Sequence, residues 1–370
     1  MTRMGDLFEV LEEIAPSWLA EPWDHSGLQT GCRDDRVNGV LVALDADAGS
    51  VTAALSAGAN LIICHHPLLF KPVNTIDYGE PLGALLALLC RERITVFAAH
   101  TNLDAAPAGL NQYLAERIGF GEIGLLGITS REPLVKMAVF VPEDAAESVR
   151  MAIDAAGAGH IGKYSGCTFN SRGNGTFRPL ENARPAIGKI GELTVVPEIK
   201  VETVVRESAL PRVLQAMLKA HPYEEAAYDL VPLNRQDIPY SYGRKGVLVQ
   251  ERRLEELAAD VKASLGLASV RIVGARDRKI KRVALVSGAG ASMIGTAVRE
   301  QCDVLITGDL KYHDAQEALA HGLTLIDAGH DGMEKAAVTL LGDWLDQAKT
   351  NRGWDFPLVR HRSDTVFQAL

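Results

Sequence analysis

Imidazoles and carboxylates collect at the ends of short apolar runs in this chain. LIIC is followed at once by His65 and His66, and ITVFAA by HTNLD, which offers His100, Asn102 and Asp104. DVLIT leads into Gly308 and Asp309, with His313 a turn later. LTLIDA leads into GHDGME, where His330 and Glu334 stand four positions apart. That spacing puts two side chains on one face of a helix. Nitrogen and oxygen donors without thiolates suit Zn, Mn, Fe(II), Co or Ni better than a structural zinc finger. Three histidines and two carboxylates exceed the needs of one ion with an open position, and they suffice for two ions if a carboxylate bridges. Adjacent His65 and His66 diverge, so each suits a different ion of a pair. Taken singly, His100 and His313 read as loop or helix residues, Asp309 as the N-cap of the KYHDAQEALA helix, and Cys64 as core. The metal reading rests on the convergence of five donors on three strand ends.

The elements that would position these residues follow from the hydrophobic pattern. VNGVLVALDAD, ANLIICHHP and ITVFAAHTNLDA read as strands ending in polar loops, with helical stretches between them. Such alternation predicts βαβ units and a mainly parallel sheet covered on both faces. Ligand sites in such folds lie beyond the carboxyl ends of the strands, where the donors stand. The rhythm changes near Gly127. Two strand–helix–strand halves then follow within roughly one hundred residues, the pattern of a small ferredoxin-like unit. Doubly wound character resumes at KGVLVQ. The expected fold class is therefore α/β: a composite three-layer domain from residues 1–128 and 236–370, interrupted by an inserted ferredoxin-like α+β domain at 129–235. Residues 40–66 also align without gaps to 283–309, which puts His65 and His66 where Gly308 and Asp309 stand in the second half.

Composition narrows the class. With 370 residues, 47% hydrophobic and 23% charged, the chain can build two or three packed domains. A net charge of −9 argues against an electrostatically held nucleic acid. The five cysteines are scattered and odd in number, which predicts reduced thiols and a cytoplasmic setting. The acidic N-terminus is unlike a signal peptide, and no apolar run approaches the roughly 20 residues of a membrane span. Neither GRKG nor GNG has the strand–loop–helix setting of a phosphate loop, and GAGAS at 288–292 reads as a tight turn.

Five segments together resemble one family: WDHSGLQTG, ICHHP, HTNLDAA, TGDLKYHDAQEA and GHDGMEK. They are similar to the NIF-three-like family, whose members are commonly labelled GTP cyclohydrolase 1 type 2 homologs. The middle segments GHIGKYSGCTFNSRGNGTFRP and HPYEEAAYDLVPL resemble the CutA/PII-like insert of its longer bacterial members. The resemblance implies two divalent metal ions per chain, held by His65, His66, Asp104, His330 and Glu334, with Asp104 and Glu334 as bridges. It implies homohexamers, dimers of trimers, with the sites facing an internal cavity. The reaction it implies is hydrolysis of a small-molecule substrate of nucleotide type, in which a metal-activated water opens the guanine imidazole ring. His313 is the candidate proton shuttle. Alternatives are phosphoester or amide hydrolysis at the same ions, or a non-enzymatic metal-binding regulatory scaffold. This chain departs from the family pattern at His25, Asp331 and Met333.

Overall fold

The computed structural model describes residues 2–363 and 365–367, apart from the side chains of residues 235 and 236. The chain divides into two compact units, one built from residues up to Ser130 and from Tyr240 onward, the other from Arg131–Pro239.

The first unit begins with strands β1 (Gly27–Thr30), β2 (Val40–Ala43), β3 (Leu61–Cys64), β4 (Thr95–Ala98) and β5 (Phe120–Leu125). The second unit carries β6 (Ser130–Pro142), β7 (Thr168–Phe177), β8 (Thr194–Arg206) and β9 (Tyr228–Tyr240). The first unit then resumes with β10 (Arg244–Arg253), β11 (Arg271–Val273), β12 (Lys279–Leu285), β13 (Val304–Thr307), β14 (Thr324–Asp327) and β15 (Leu358–Arg360).

The first unit is α/β, with two sheets where the sequence pattern suggested one. A five-stranded sheet runs β1-β4-β3-β2-β15 and a six-stranded sheet runs β11-β14-β13-β12-β10-β5. Each is centred on three parallel strands in the same register: Val40 lies opposite Leu61 in one, and Val283 opposite Val304 in the other. The reason is that each half carries its own complete parallel repeat. Antiparallel neighbours, β1 beside β4 and β10 beside β12, then cap that repeat instead of extending it into the other half. VLVA, LIIC, TVFA, VLIT and TLID are buried along their whole length, as expected of strands covered on both faces. Each large aliphatic side chain so buried contributes roughly 1.5–3 kcal/mol.

The outer strands are exchanged between the halves. β15, near the end of the chain, pairs in parallel with β2, while β5, from the first third, pairs antiparallel with β10. Neither sheet is complete without a strand from the other half.

The second unit follows the order strand, helix, strand, strand, helix, strand. Its sheet runs β7-β8-β6-β9, with helices Ala146–Ala155 and Leu210–Ala220 supplying Val149, Ile153, Val213 and Met217 to its core. Met137, Val139, Val141, Val201 and Val205 complete that core from the sheet. Among the described residues, no helix is long and apolar enough to cross a membrane.

Candidate metal centre

Three parallel strands of one sheet and three of the other end at the same place. Asp45 follows β2, His65 and His66 follow β3, and His100 follows β4. In the other half Ser287 follows β12, Asp309 follows β13 and His330 follows β14. The two third strands each lead into a single helical turn, Thr101–Ala105 in one half and His330–Glu334 in the other. Asp24 anchors the first turn, accepting from the Thr101 amide at 3.1 Å and its hydroxyl at 2.6 Å. Asp327 anchors the second by accepting the Gly329 amide at 3.0 Å. His100 with Asp104 and His330 with Glu334 are thus twin histidine–carboxylate pairs at the same spacing.

Three groups of donor atoms lie within 4.8 Å of one another: His66, His330 and Glu334; His65, Asp104 and Glu334; and His65, His66 and His100. Glu334 belongs to the first two. Its Oε2 is 2.8 Å from His66 Nε2 and 2.9 Å from His330 Nε2, and its Oε1 is 3.7 Å from His65 Nε2. Asp104 Oδ1 lies 4.0 Å from the same His65 nitrogen and accepts from the Ser287 hydroxyl at 2.9 Å.

Each imidazole is oriented through Nδ1. His66 turns it to Asp45, His100 to Asp24 and His330 to Asp309, each at 2.7 Å, and His65 turns it to the Ala99 carbonyl at 2.8 Å. Carboxylates and carbonyls behind imidazoles are the usual way proteins fix the tautomer and direction of a metal ligand.

His65 makes the sharpest case that this centre fits a cation. Burial opposes charge on His65, but Glu334 and Asp104 outweigh it and raise the pKa. A carbonyl can only accept, so Nδ1 carries a proton and the neutral ring directs a lone pair from Nε2. That atom is fully buried and without a hydrogen-bond partner, facing two carboxylate oxygens. Three buried acceptors facing one another repel unless a proton or a metal ion lies among them. Gly288 supports the same reading. Its φ of +61° is left-handed, and a Cβ there would overlap Glu334 Oε1 and lie 3.3 Å from His330 Nε2. GAGAS is therefore a tight turn whose missing side chain leaves the cradle open.

The electrostatics match. Glu334 hydrogen-bonds to His330 and raises its pKa to about 9, against the effect of burial. Burial also opposes charge on His66, but Asp45 and Glu334 outweigh it and push the pKa up to about 10. Burial would raise Glu334, yet His330, His65 and His66 together hold it well below the ordinary carboxylate range. Asp104 is pushed up, chiefly by burial and partly by Glu334. A cavity of about 560 Å³ opens onto these groups, with Trp23 and Phe70 half exposed beside it.

Of the residues singled out in the sequence, His65, His66, Asp104, His330 and Glu334 come together. His313 does not: it is exposed on the helix Tyr312–Ala320, 3.2 Å from Gln316 Oε1, and does not line the cavity. Asp309 is not the N-cap of that helix. Lys311 holds that position and its amide donates to Asp314 at 2.8 Å, which frees Asp309 to orient His330. Asp331 pairs with Lys335 at 3.1 Å. Asp24, Asp45 and the cluster position of His100 were not drawn from the sequence. The repeated spacing of HTNLD and HDGME was the available signal for the last.

A description of Duf34/NIF3 (NGG1p interacting factor 3) matches residues 2–365. The chain is 38% identical over 353 residues to the GTP cyclohydrolase 1 type 2 homolog of Halalkalibacterium halodurans, covering 95% of each. It is 41% identical over 324 residues to that of Bacillus subtilis, covering 88% of this chain and 87% of the relative. Among solved structures, a Bacillus cereus protein related to NIF3 superposes with a TM-score of 0.91 at 37% identity, over 100% of this chain and 99% of that one. A match across nearly the whole length, in sequence and in fold, means that the chain belongs to the Duf34/NIF3 family.

Proposed function

We propose that this protein is a dinuclear metallohydrolase whose two divalent ions are held by His65, His66, Asp104, His330 and Glu334. The observation that carries the reading is Glu334, whose carboxylate belongs to two of the three donor triads and so suits a bridge. Asp104, the other bridge that the family resemblance implies, belongs to the His65 triad alone and is oriented by Ser287. When bound, divalent ions supply Lewis acidity and bring the pKa of water toward neutrality.

The chain's own residues do the rest. The Ala99 carbonyl, Asp45 and Asp309 hold the His65, His66 and His330 rings in their ligating orientation. Trp23 and Phe70, with ring centroids 6.0 Å apart, offer apolar faces beside the cavity. Such faces suit a purine, in keeping with the GTP cyclohydrolase name that the relatives carry. In that reaction a hydrolytic attack on the guanine imidazole ring opens it and releases formate. We also read the second unit as ferredoxin-like, and the assembly as a homohexamer in the cytoplasm.

The test is formate release from GTP by metal-replete protein, beside Glu334→Gln. Formate from the wild type alone supports the full reading. Retention of metal without formate would remove GTP as the substrate, and failure of the wild type to bind metal would remove the centre itself.

A further inference from the structure

The second unit contains a cavity of its own. It has a volume of about 680 Å³, and all its lining residues lie between Phe140 and Ala227. That is the size of a pocket for a drug-sized molecule. Its walls are mostly apolar and include the rings of Phe140, Phe177 and Tyr223, the last two meeting edge-to-face at 5.7 Å.

One group in this cavity is chemically out of place. Glu198, on β8, is only 8% exposed. Its Oε1 accepts from the Tyr223 hydroxyl at 3.0 Å, and among the described residues no basic side chain comes within 4.0 Å of it. Of the cations that line the cavity, Lys200 pairs with Glu202 at 3.1 Å and Arg172 with Glu143 at 3.5 Å, while Arg178 is exposed. Buried carboxylates are ordinarily paired with a cation or a set of hydrogen-bond donors, because removing the charge from water is costly.

The edge strand β7 is shaped around this carboxylate. Its SRGNG stretch forms regular strand, with Gly173 opposite Glu198. Glycine weakens a strand interior and often marks a close approach. At Gly175 the reason is visible, since a Cβ there would overlap the Glu198 carboxylate. The stretch that lacked the setting of a phosphate loop serves instead as the glycine floor beneath a buried acid.

We propose that this cavity binds a small aromatic molecule carrying a cationic or N–H-donating nitrogen group, with Glu198 accepting from that nitrogen and the rings of Phe177 and Tyr223 packing on its body. A charge-assisted hydrogen bond supplies specificity, and the aromatic faces add cation–π attraction. The carboxylate selects against a molecule that would place an anionic group beside it. The proposal does not depend on the metal centre.

The test uses the full chain and three probes, tryptamine, benzamidine and indole-3-acetate, titrated by calorimetry or ligand-observed NMR. Tryptamine and benzamidine are expected to bind and indole-3-acetate not to. Glu198→Gln keeps an acceptor for Tyr223 and is expected to weaken tryptamine by at least about tenfold without altering thermal unfolding. Gly175→Ala, which displaces the carboxylate, and Phe177→Leu, which removes a ring face, are expected to weaken it as well. Failure of both amines to bind, equal binding of indole-3-acetate, or unchanged tryptamine affinity in Glu198→Gln would each overturn the proposal.

Discussion

His66 and Glu334 are 268 positions apart in the chain, yet His66 Nε2 lies 2.8 Å from Glu334 Oε2. The contact joins the end of a strand in one sheet to the helical turn that follows a strand in the other. Glu334 also serves the His65 and Asp104 group, whereas Asp104 serves only that one. The two carboxylates should therefore fail differently. Glu334→Gln is expected to lose nearly all bound metal. Asp104→Asn is expected to lose one ion and keep the other on His66, His330 and Glu334. Elemental analysis of both proteins purified alike decides the matter, and equal loading in the two would refute the assignment of Glu334 as the shared ligand.

Asp309 and Asp45 touch no other donor of the centre but hold His330 and His66 by Nδ1, each at 2.7 Å. Orienting partners of this kind are typically worth 10–100-fold in metal affinity. Asp309→Asn is expected to weaken metal binding by roughly that factor, with little change in thermal unfolding of the metal-free protein. A competition titration against a chelator measures it.

Metal uptake should depend on pH in a stated direction. In the metal-free centre the pKa values of His330 and His66 are raised to about 9 and about 10. At neutral pH both imidazoles therefore carry protons, which an incoming ion must displace. Apparent affinity should rise with pH until those values are passed, and fall below them. Calorimetry in buffers of different ionisation enthalpy should show proton release on binding at pH 7; an uptake of protons would contradict the sign.

Gly288 tests the cradle itself. Gly288→Ala places a methyl group against Glu334 Oε1 at a backbone φ of +61°. The left-handed conformation alone costs about 1–2 kcal/mol, which a denaturant melt should detect. The overlap should lower metal content beyond what that loss of stability explains.

Within the first unit, the two chain ends at which its sequence is interrupted are neighbours. β5 and β10 run side by side with Leu125 opposite Arg244, and the Thr129 amide donates to the Tyr240 carbonyl at 2.9 Å. Replacing Arg131–Pro239 by a short Gly-containing turn should leave the first unit folded. Cooperative melting and retained metal content are the expected results, and loss of both would show that the first unit needs the second.

VLVA, LIIC, TVFA, VLIT and TLID were readable as strands in the sequence because each is a short, mainly apolar run followed by polar residues. The donors at their ends were readable for the same reason: imidazole and carboxylate side chains stand out where a buried strand stops. What lies behind them was not. Asp24 reaches His100 from a loop 76 positions away, and Asp45 reaches His66 from 21 away. No local pattern encodes such contacts. Asp309 misled because an acid before a helix ordinarily caps it, and here Asp314 already fills the capping role. The division into two sheets was hidden too, since β5 and β10 find each other only in three dimensions.

The crossed outer strands also set an order of events at the ribosome. Val40 of β2 cannot meet its partner Leu358 until everything between them has been made. Domains ordinarily fold from the N-terminus during synthesis, and unpaired strand edges exposed on the way invite aggregation. Here His65 and His66 emerge early, but the sheet that carries them stays open along one side until β15 arrives. A product cut short before residue 358 would lack that strand, and its open edge would be a handle for the cell's proteases and chaperones.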